Sequence, residues 1–361
     1  MKILCGILLF MGTAAFAQAD KQANAETKNL YQHLQQLPAK GFLVGHQDDL
    51  AYGVNWKYKA GNSDVKAVCG DYPGLYGWDL GGIELPGGDK NLDGVPFKKM
   101  KQYIREGYER GGVITISWHA RSPFGAEKGA WDTTHGTVTS ILPGGVNHAL
   151  YKEWLDKVAG FLQSLNGIPI LFRPFHELTG NWFWWGRTAC TPDEFKTLWR
   201  FTVYYLKEEK HLHNLLYVYN TSGETKRALV LERYPGDDMV DVISFDTYQY
   251  DDSFVKNVQQ QLALLDSIVT EKGKIPALGE TGYEAIPDAS WWTKSLLPAI
   301  GNYKIAYVLL WRNHGYNEFM KKMHYYMPYP GQLSAEDFRV FYNDKKTLFE
   351  RDAAELGLYK Q

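Results

Sequence analysis

One stretch of the chain places three ionisable side chains and several tryptophans directly after an apolar run. The run, residues 168–172, is opened by a glycine and contains a proline, and it is typical of a short buried strand. After it come Arg173, His176, Glu177, Trp182, Trp184 and Trp185. Burying such ionisable groups without partners would cost several kcal/mol, so we expect them to face a site. Flat rings beside polar groups suit a sugar; the alternative is a structural ion pair under a small aromatic core.

Two glutamates could supply the chemistry of glycoside hydrolysis. A glycosidic bond breaks through an oxocarbenium-like state and needs one carboxyl group as acid and another as nucleophile or base. Glu177 follows the fourth apolar run of the chain and Glu280 follows the seventh. If both extend from strand ends across one mouth, a gap of roughly 5–5.5 Å and a retaining double displacement are expected. The structural alternatives are that Glu177 only pairs with Arg173 and that Glu280 only caps the turn at Thr281.

Eight short apolar runs alternate with helix-length segments, a pattern that predicts a single (β/α)8 TIM barrel of the α/β class. The runs are residues 42–44, 72–78, 112–117, 168–172, 215–219, 240–245, 275–278 and 304–310. The predicted helices are residues 97–110, 147–165, 195–209, 252–270 and 288–300. Such barrels build active sites at the C-terminal ends of their strands. Two long segments, 121–146 and 313–332, leave that face, and loops of this length are usually functional.

The motif that begins at Arg173 resembles a known family. Arg-Pro-Phe-His-Glu-x-x-Gly-x-Trp-Phe-Trp-Trp, with the later Gly-Glu-Thr-Gly, is similar to family 26 of the glycoside hydrolases, chiefly β-mannanases. The likeness covers most of the chain, with Ser-Trp-His, Asp-x-Tyr and Trp-Arg strand ends in the same order. It implies that Glu177 is the acid/base and Glu280 the nucleophile. The pair Leu178-Thr179 departs from the usual pattern, which puts a neighbouring contact in doubt but no catalytic atom.

Other polar and aromatic side chains at the strand ends are candidate substrate-binding residues, on chemical grounds and by the same resemblance. The set is His119, Arg173, His176, Trp182, Asp246, Tyr248, Trp311 and Arg312. Tyr248 is expected to donate a hydrogen bond to Glu280 and so favour the ionised carboxylate. The alternative for His119 is a buried imidazole whose hydrogen bonds are satisfied within the core.

Four of these candidates are assigned a particular kind of contact with the sugar, two by stacking and two by hydrogen bonding. We expect the indole rings of Trp182 and Trp311 to stack on sugar rings. Asp246 and Arg312 are expected to bind sugar hydroxyl groups, since both can make bidentate hydrogen bonds.

Charge and ligand patterns argue against several other functions. The net charge of −2 at pH 7 gives no electrostatic case for binding nucleic acid or anionic membranes. No cysteine or histidine spacing resembles a zinc site. Because no His-x-His pair or carboxylate cluster is visible at the strand ends, a metal-dependent hydrolase is disfavoured, and we expect neither a metal nor a cofactor.

Residues 1–17 are predicted to be a signal peptide. Lys2 gives a positive start, residues 3–16 are mostly apolar but too short for a comfortable membrane span, and Ala15-Phe16-Ala17 has the small-x-small pattern of a cleavage site. We expect export to the periplasm or beyond the cell. The catalytic domain would then comprise residues 18–361, a monomer with no membrane segment.

Two cysteines, Cys69 and Cys190, remain after removal of the signal peptide. An exported chain with two cysteines can form one disulfide, and we predict that pairing. Two free cysteines are the alternative.

These observations favour a retaining β-1,4-mannanase that acts on mannan, galactomannan, glucomannan or manno-oligosaccharides. Rival substrates on the same fold are β-1,3-xylan and mixed-linkage β-glucan. A non-catalytic sugar-binding protein is the alternative from another class, but binding alone gains nothing from a second carboxylate. A loop folded across one end of the groove would leave a pocket for two sugars, so mannobiose is the expected main product.

Overall fold

Eight parallel strands close into a barrel in a computed structural model that describes residues 18–361. The strands are β1 (Phe42–Gln47), β2 (Leu75–Asp79), β3 (Val113–Ser117), β4 (Ile170–Arg173), β5 (Leu215–Ser222), β6 (Val242–Gln249), β7 (Ile275–Tyr283) and β8 (Tyr307–Leu310). Each pairs with the next along the chain, and β8 returns to β1, with Leu43 opposite Tyr307. The eight predicted strands and the barrel are confirmed. The predicted signal peptide lies outside the described residues.

Helices connect the strands and surround the barrel. They are α1 (Ala25–Gln36), α2 (Asp64–Cys69), α3 (Phe97–Glu109), α4 (Thr137–Ile141), α5 (His148–Gln163), α6 (Pro192–Tyr204), α7 (Arg227–Leu231), α8 (Phe254–Lys272), α9 (Leu297–Ile300), α10 (Ala335–Tyr342) and α11 (Glu350–Leu356). Short 3-10 turns lie at Leu37–Ala39, Ala126–Lys128 and Asp237–Met239, and π-helical turns at Tyr205–Glu209 and Trp292–Leu296. Within residues 18–361, no helix has the length and apolarity to cross a membrane.

The predicted helices differ from the observed ones mainly at their ends. Thr191 accepts a hydrogen bond from the backbone of Glu194 and forms a capping box, so α6 begins at Pro192, in agreement with the cap and first-turn proline that the sequence predicts ahead of Phe195. The segment predicted to be helical from residue 288 instead starts with a turn, because Asp288 accepts the backbone N–H of Ser290.

Alternating strand residues separate two apolar cores. Leu43, Leu75 and Val113 belong to one buried cluster, which also takes in residues of α1 and α11. Their neighbours Val44 and Tyr76 belong to the other cluster, which includes residues from most of the surrounding helices. Because successive side chains of a strand point to opposite faces, the first cluster fills the barrel interior and the second joins the strands to the helices. The interior is therefore a packed base beneath the polar strand ends.

The two long segments after β3 and β8 carry small elements of their own. The segment 121–146 contains a 3-10 turn and α4, and 313–332 contains a hairpin in which Gly315–Asn317 pairs with Lys322–His324. A second hairpin, Tyr52–Gly53 with Trp56–Lys57, follows β1. All three segments leave the C-terminal face of the barrel.

Cys69 and Cys190 are both free, so the predicted disulfide is wrong. The Cys69 thiol ends α2 and donates to the carbonyl of Val65. The Cys190 thiol lies beyond β4, where it accepts a hydrogen bond from Arg233 at 3.2 Å. Several strands of the barrel separate these positions, and each sulfur has local partners.

Candidate active site

Glu177 and Glu280 lie close together at the C-terminal end of the barrel, one just after β4 and one on β7. One carboxylate oxygen from each, and one from Asp246 on β6, lie within 4.8 Å of one another. Retaining glycosidases place their two carboxyl groups about 5–5.5 Å apart, and inverting ones about 6.5–9.5 Å apart. At least one oxygen of Glu177 therefore lies within 4.8 Å of an oxygen of Glu280, close enough for both carboxyl groups to reach the same sugar.

Both carboxylate oxygens of the buried Glu280 accept hydrogen bonds. The Arg173 guanidinium donates to Oε1, and the Tyr248 hydroxyl donates to Oε2 at 2.8 Å. The contact expected between Tyr248 and Glu280 is thus present. A side chain whose two oxygens both serve only as acceptors, one of them to a guanidinium, has the environment of a carboxylate.

Glu177 occupies a different environment from Glu280. Its backbone has a φ of 50°, in the left-handed region, and its N–H donates to Asn220 Oδ1 at 2.7 Å. The indole N–H of Trp182 donates to Glu177 Oε2, also at 2.7 Å. Burial, together with the nearby Glu280, raises the pKa of Glu177 to about 7. A carboxyl group with such a pKa can release and recover a proton near neutrality.

Asp246 lies beneath this pair rather than at the surface of the groove. Its Oδ2 accepts from Arg173 at 2.9 Å, and its Oδ1 accepts from Asn220 at 2.7 Å. Burial and the neighbouring Glu280 raise the pKa of Asp246, while Arg173 opposes the rise. Asp246 was expected to bind sugar hydroxyl groups. In the structure it is buried, and both of its oxygens accept hydrogen bonds from protein groups.

The three acidic groups Glu177, Asp246 and Glu280 form a carboxylate cluster at the strand ends. The expectation that no such cluster exists is wrong, because residues from three distant parts of the chain meet only in the folded barrel. Arg173 forms ion pairs with Asp246 and Glu280. The guanidinium therefore supplies one positive charge that is shared by two of the three carboxyl groups.

His119 and His176 form a hydrogen-bonded pair beside the carboxylates. Their Nε2 atoms are 3.0 Å apart, and His119 Nδ1 lies 2.8 Å from Asp79 Oδ2. Although burial works against the charged ring, Asp79 raises the pKa of His119. Burial and the charge of His119 hold the pKa of His176 well below its usual range. A protonated His119 that donates to a neutral His176 satisfies all these contacts. Asp79 ends β2, but its role was not predicted.

Exposed aromatic rings surround the mouth. Trp182 is 38% exposed and Trp311 is partly buried, so both can offer a ring face to a ligand. Trp131 was not predicted; it is 56% exposed, and its ring stacks on His119 with the centroids 5.4 Å apart. Its position in the segment 121–146 was the available signal, since that segment leaves the catalytic face.

Arg312, at the end of β8, is held by two neighbours. It pairs with Asp93 at 3.1 Å and contacts His314 Nδ1 at 2.9 Å. Asp93 belongs to the segment after β2 and was not predicted to take part. The ion pair joins the segments after β2 and β8.

The fold and the site together define a class of protein. This is a closed parallel barrel whose C-terminal face brings together two carboxyl groups, one with a raised pKa and one paired with an arginine. Glycoside hydrolysis requires such an arrangement.

Comparison with known proteins agrees with this class. The model of glycosyl hydrolase family 26 matches residues 19–326. A solved β-mannanase of this family from Bacteroides ovatus is 46% identical, with a TM-score of 0.89 over 94% of this chain and 98% of that chain. A modular endo-β-1,4-mannanase from Cellulomonas fimi is 34% identical, with a TM-score of 0.83 over 93% of this chain and 78% of that chain. The chain belongs to glycosyl hydrolase family 26.

The chain matches only part of the length of the curated relatives. A mannan endo-1,4-β-mannosidase from Bifidobacterium adolescentis is 32% identical over 91% of this chain, and another from Bacillus subtilis is 29% identical over 62%. The matched regions span 35% and 64% of the lengths of those two relatives.

Proposed function

We propose that this protein hydrolyses β-1,4-mannosidic bonds in mannan, galactomannan or manno-oligosaccharides, with retention of configuration. The observation that carries the proposal is the pair Glu177 and Glu280, close together but with different hydrogen-bond partners and charge environments. The printed names of the family 26 relatives, which are mannan endo-1,4-β-mannosidases and β-mannanases, support mannan as the substrate class.

The first chemical step forms a glycosyl-enzyme. The Glu280 carboxylate attacks the anomeric carbon while Glu177 gives its proton to the glycosidic oxygen. The bond between that carbon and that oxygen breaks, and the aglycone leaves as an alcohol. Tyr248 and Arg173 orient Glu280 for the attack. The raised pKa of Glu177 keeps this residue protonated up to about neutral pH.

The second step releases the sugar. Glu177, now ionised, takes a proton from water; the resulting nucleophile attacks the anomeric carbon, and the bond to Glu280 breaks. Two inversions give net retention. Around this centre His119 and His176 form the wall of the sugar site beside Glu177, Trp182 and Trp311 stack on neighbouring rings, and Arg312 binds hydroxyl groups further along. Asp246 does not contact the sugar; it holds Arg173, which in turn donates a hydrogen bond to Glu280.

Substrate choice is tested by comparing mannohexaose with cellohexaose and β-1,3-xylohexaose. Only mannohexaose should be hydrolysed at an appreciable rate, and NMR of the earliest product should show the β-anomer. Faster hydrolysis of either other hexaose would show that the substrate is not a β-1,4-mannan but would leave the proposed mechanism intact. An α-anomer as first product would overturn double displacement, and tight binding without products would leave only a sugar-binding role.

Mannobiose release is the finer proposal. The Arg312–Asp93 ion pair bridges the segments after β8 and β2, and the hairpin Gly315–His324 stands beside it. A bridge on this side of the mouth would limit the groove to two sugars. Mannobiose should then dominate from the earliest time points, with little fall in galactomannan viscosity. A rapid fall in viscosity with mixed early products would show an open cleft.

We also propose that the protein is exported and acts as a monomer in the periplasm or outside the cell. The signal-like residues 1–17 are the support for export, and N-terminal sequencing of the exported protein should begin at Gln18.

A further inference from the structure

Asn220 has no role in the mechanism above, yet it is fully buried at the C-terminal end of β5. Its Oδ1 accepts the backbone N–H of Glu177 at 2.7 Å. Its Nδ2 donates to Ser244 Oγ at 2.8 Å and to Asp246 Oδ1 at 2.7 Å. A reversed amide would set its NH2 group against an N–H and its oxygen against a carboxylate, so these partners determine the orientation.

The same residue holds the turn that carries Glu177. A φ of 50° is unfavourable for a residue with a Cβ atom and persists only where neighbouring groups impose it. Asn220 accepts two successive peptide N–H groups of this turn: its side chain accepts from Glu177, and its backbone carbonyl accepts from Leu178 at 3.2 Å. Asn220 therefore supplies two of the hydrogen bonds that hold the turn around Glu177, beside the one from the Gly180 N–H to the Glu177 carbonyl at 2.8 Å.

Asn220 also connects the two carboxyl groups of the site. From Asn220 Nδ2 the hydrogen bonds run to Asp246, then to Arg173, and from Arg173 to Glu280. Gly279 leaves room for this connection, since a Cβ there would lie 2.5 Å from Asn220 Nδ2 and 2.6 Å from Asp246 Oδ1. The backbone of Glu177 and the side chain of Glu280 are thus held by one continuous network.

We propose that Asn220 is a positioning residue that holds Glu177 in its left-handed conformation and, through Asp246 and Arg173, sets its place relative to Glu280. The inference rests on the proposed function of the two glutamates. Without this contact the turn relaxes, and the Glu177 carboxyl group moves away from Glu280 toward water. The ionisable groups that act on Glu177 are Glu280, His119, Arg173, Asp246, Tyr248 and Tyr250.

The test compares Asn220→Ala with Asn214→Ala. Asn214 is a buried asparagine just before β5, at the other end of the barrel, and its side chain donates to the carbonyl of Ile168 at 2.7 Å. On whichever hexaose the wild type hydrolyses, Asn220→Ala should lower kcat by about 100-fold, the size expected for a misplaced catalytic group. A dinitrophenyl glycoside should lose much less in glycosylation, since its leaving group needs little protonation. The alkaline limb of kcat/KM should move to lower pH, because a more solvated Glu177 has a lower pKa.

Asn214→Ala should lower the Tm while leaving the alkaline limb and the ratio of the two substrates unchanged. Asn220→Asp keeps an acceptor for the Glu177 N–H but faces Asp246 with a second acidic group, so it should lower kcat without moving the limb to lower pH. If Asn220→Ala does not fold, Asn220→Asp tests the proposal by itself, because it removes the amide that donates to Asp246. Wild-type kcat in Asn220→Asp would overturn the proposal. Equal losses on both substrates with an unmoved limb in Asn220→Ala would also overturn it. Wild-type hydrolysis by Glu177→Ala would instead overturn the proposed function.

Discussion

Glu280→Ala should abolish turnover of every glycan and aryl glycoside. The variant lacks the carboxylate that we propose attacks the anomeric carbon, and no other described carboxylate has the same pair of donors, Arg173 and Tyr248. Removing the nucleophile from an enzyme that works through a covalent intermediate lowers kcat by on the order of 10⁵-fold or more. Initial rates on mannohexaose and on an aryl β-mannobioside measure the loss, and a good leaving group should not restore activity.

A matched control separates this loss from damage to the fold. Glu355 is exposed on α11, so Glu355→Ala removes a carboxylate without touching the mouth. It should keep wild-type activity. Glu280→Ala should retain a cooperative thermal transition, because Arg173 can still pair with Asp246; if it does not, Glu280→Gln keeps the volume and should be equally inactive. Residual activity near that of the wild type in a folded variant would remove Glu280 from the mechanism.

Glu177→Ala should lower polysaccharide hydrolysis by about 10²–10⁴-fold, the usual contribution of general acid–base catalysis. Glycosylation by an aryl glycoside with a good leaving group should be largely spared, because that bond breaks with little protonation. Release of the leaving group, followed in a single turnover, measures glycosylation, and steady-state rates on mannohexaose measure the whole reaction. Equal losses on both substrates would contradict the acid role of Glu177.

The pH profile gives an independent check on Glu177. Its pKa is raised to about 7, so the protonated acid predominates below that pH and is lost as the pH rises through it. The alkaline limb of kcat/KM on polysaccharide should therefore lie near pH 7. With the aryl substrate the limb should weaken, and Glu177→Gln should remove it. A limb unchanged by this substitution would belong to another group.

The amino-acid sequence by itself determined the fold and the family of this protein. Eight apolar runs with helical segments between them define a barrel because strands buried on both faces read as continuous apolar segments. The motif from Arg173 to Trp185 marked one strand end, and Gly-Glu-Thr-Gly marked another. Since parallel strands bring their C-terminal ends to one face, Glu177 and Glu280 could be placed together before any coordinates were known.

Only the tertiary structure decided which hydrogen bonds and ion pairs connect the residues of the site. Asp246 looks like a free hydrogen-bonding residue in the sequence, but folding places it under Arg173, where it balances a charge instead of meeting a sugar. Asn220 and Asp79 each end an apolar run, but their roles depend on partners that are distant along the chain. The disulfide prediction failed for the same reason. Spacing along one strand is fixed by covalent geometry, whereas contacts between strands depend on the closed barrel, which a local pattern does not encode.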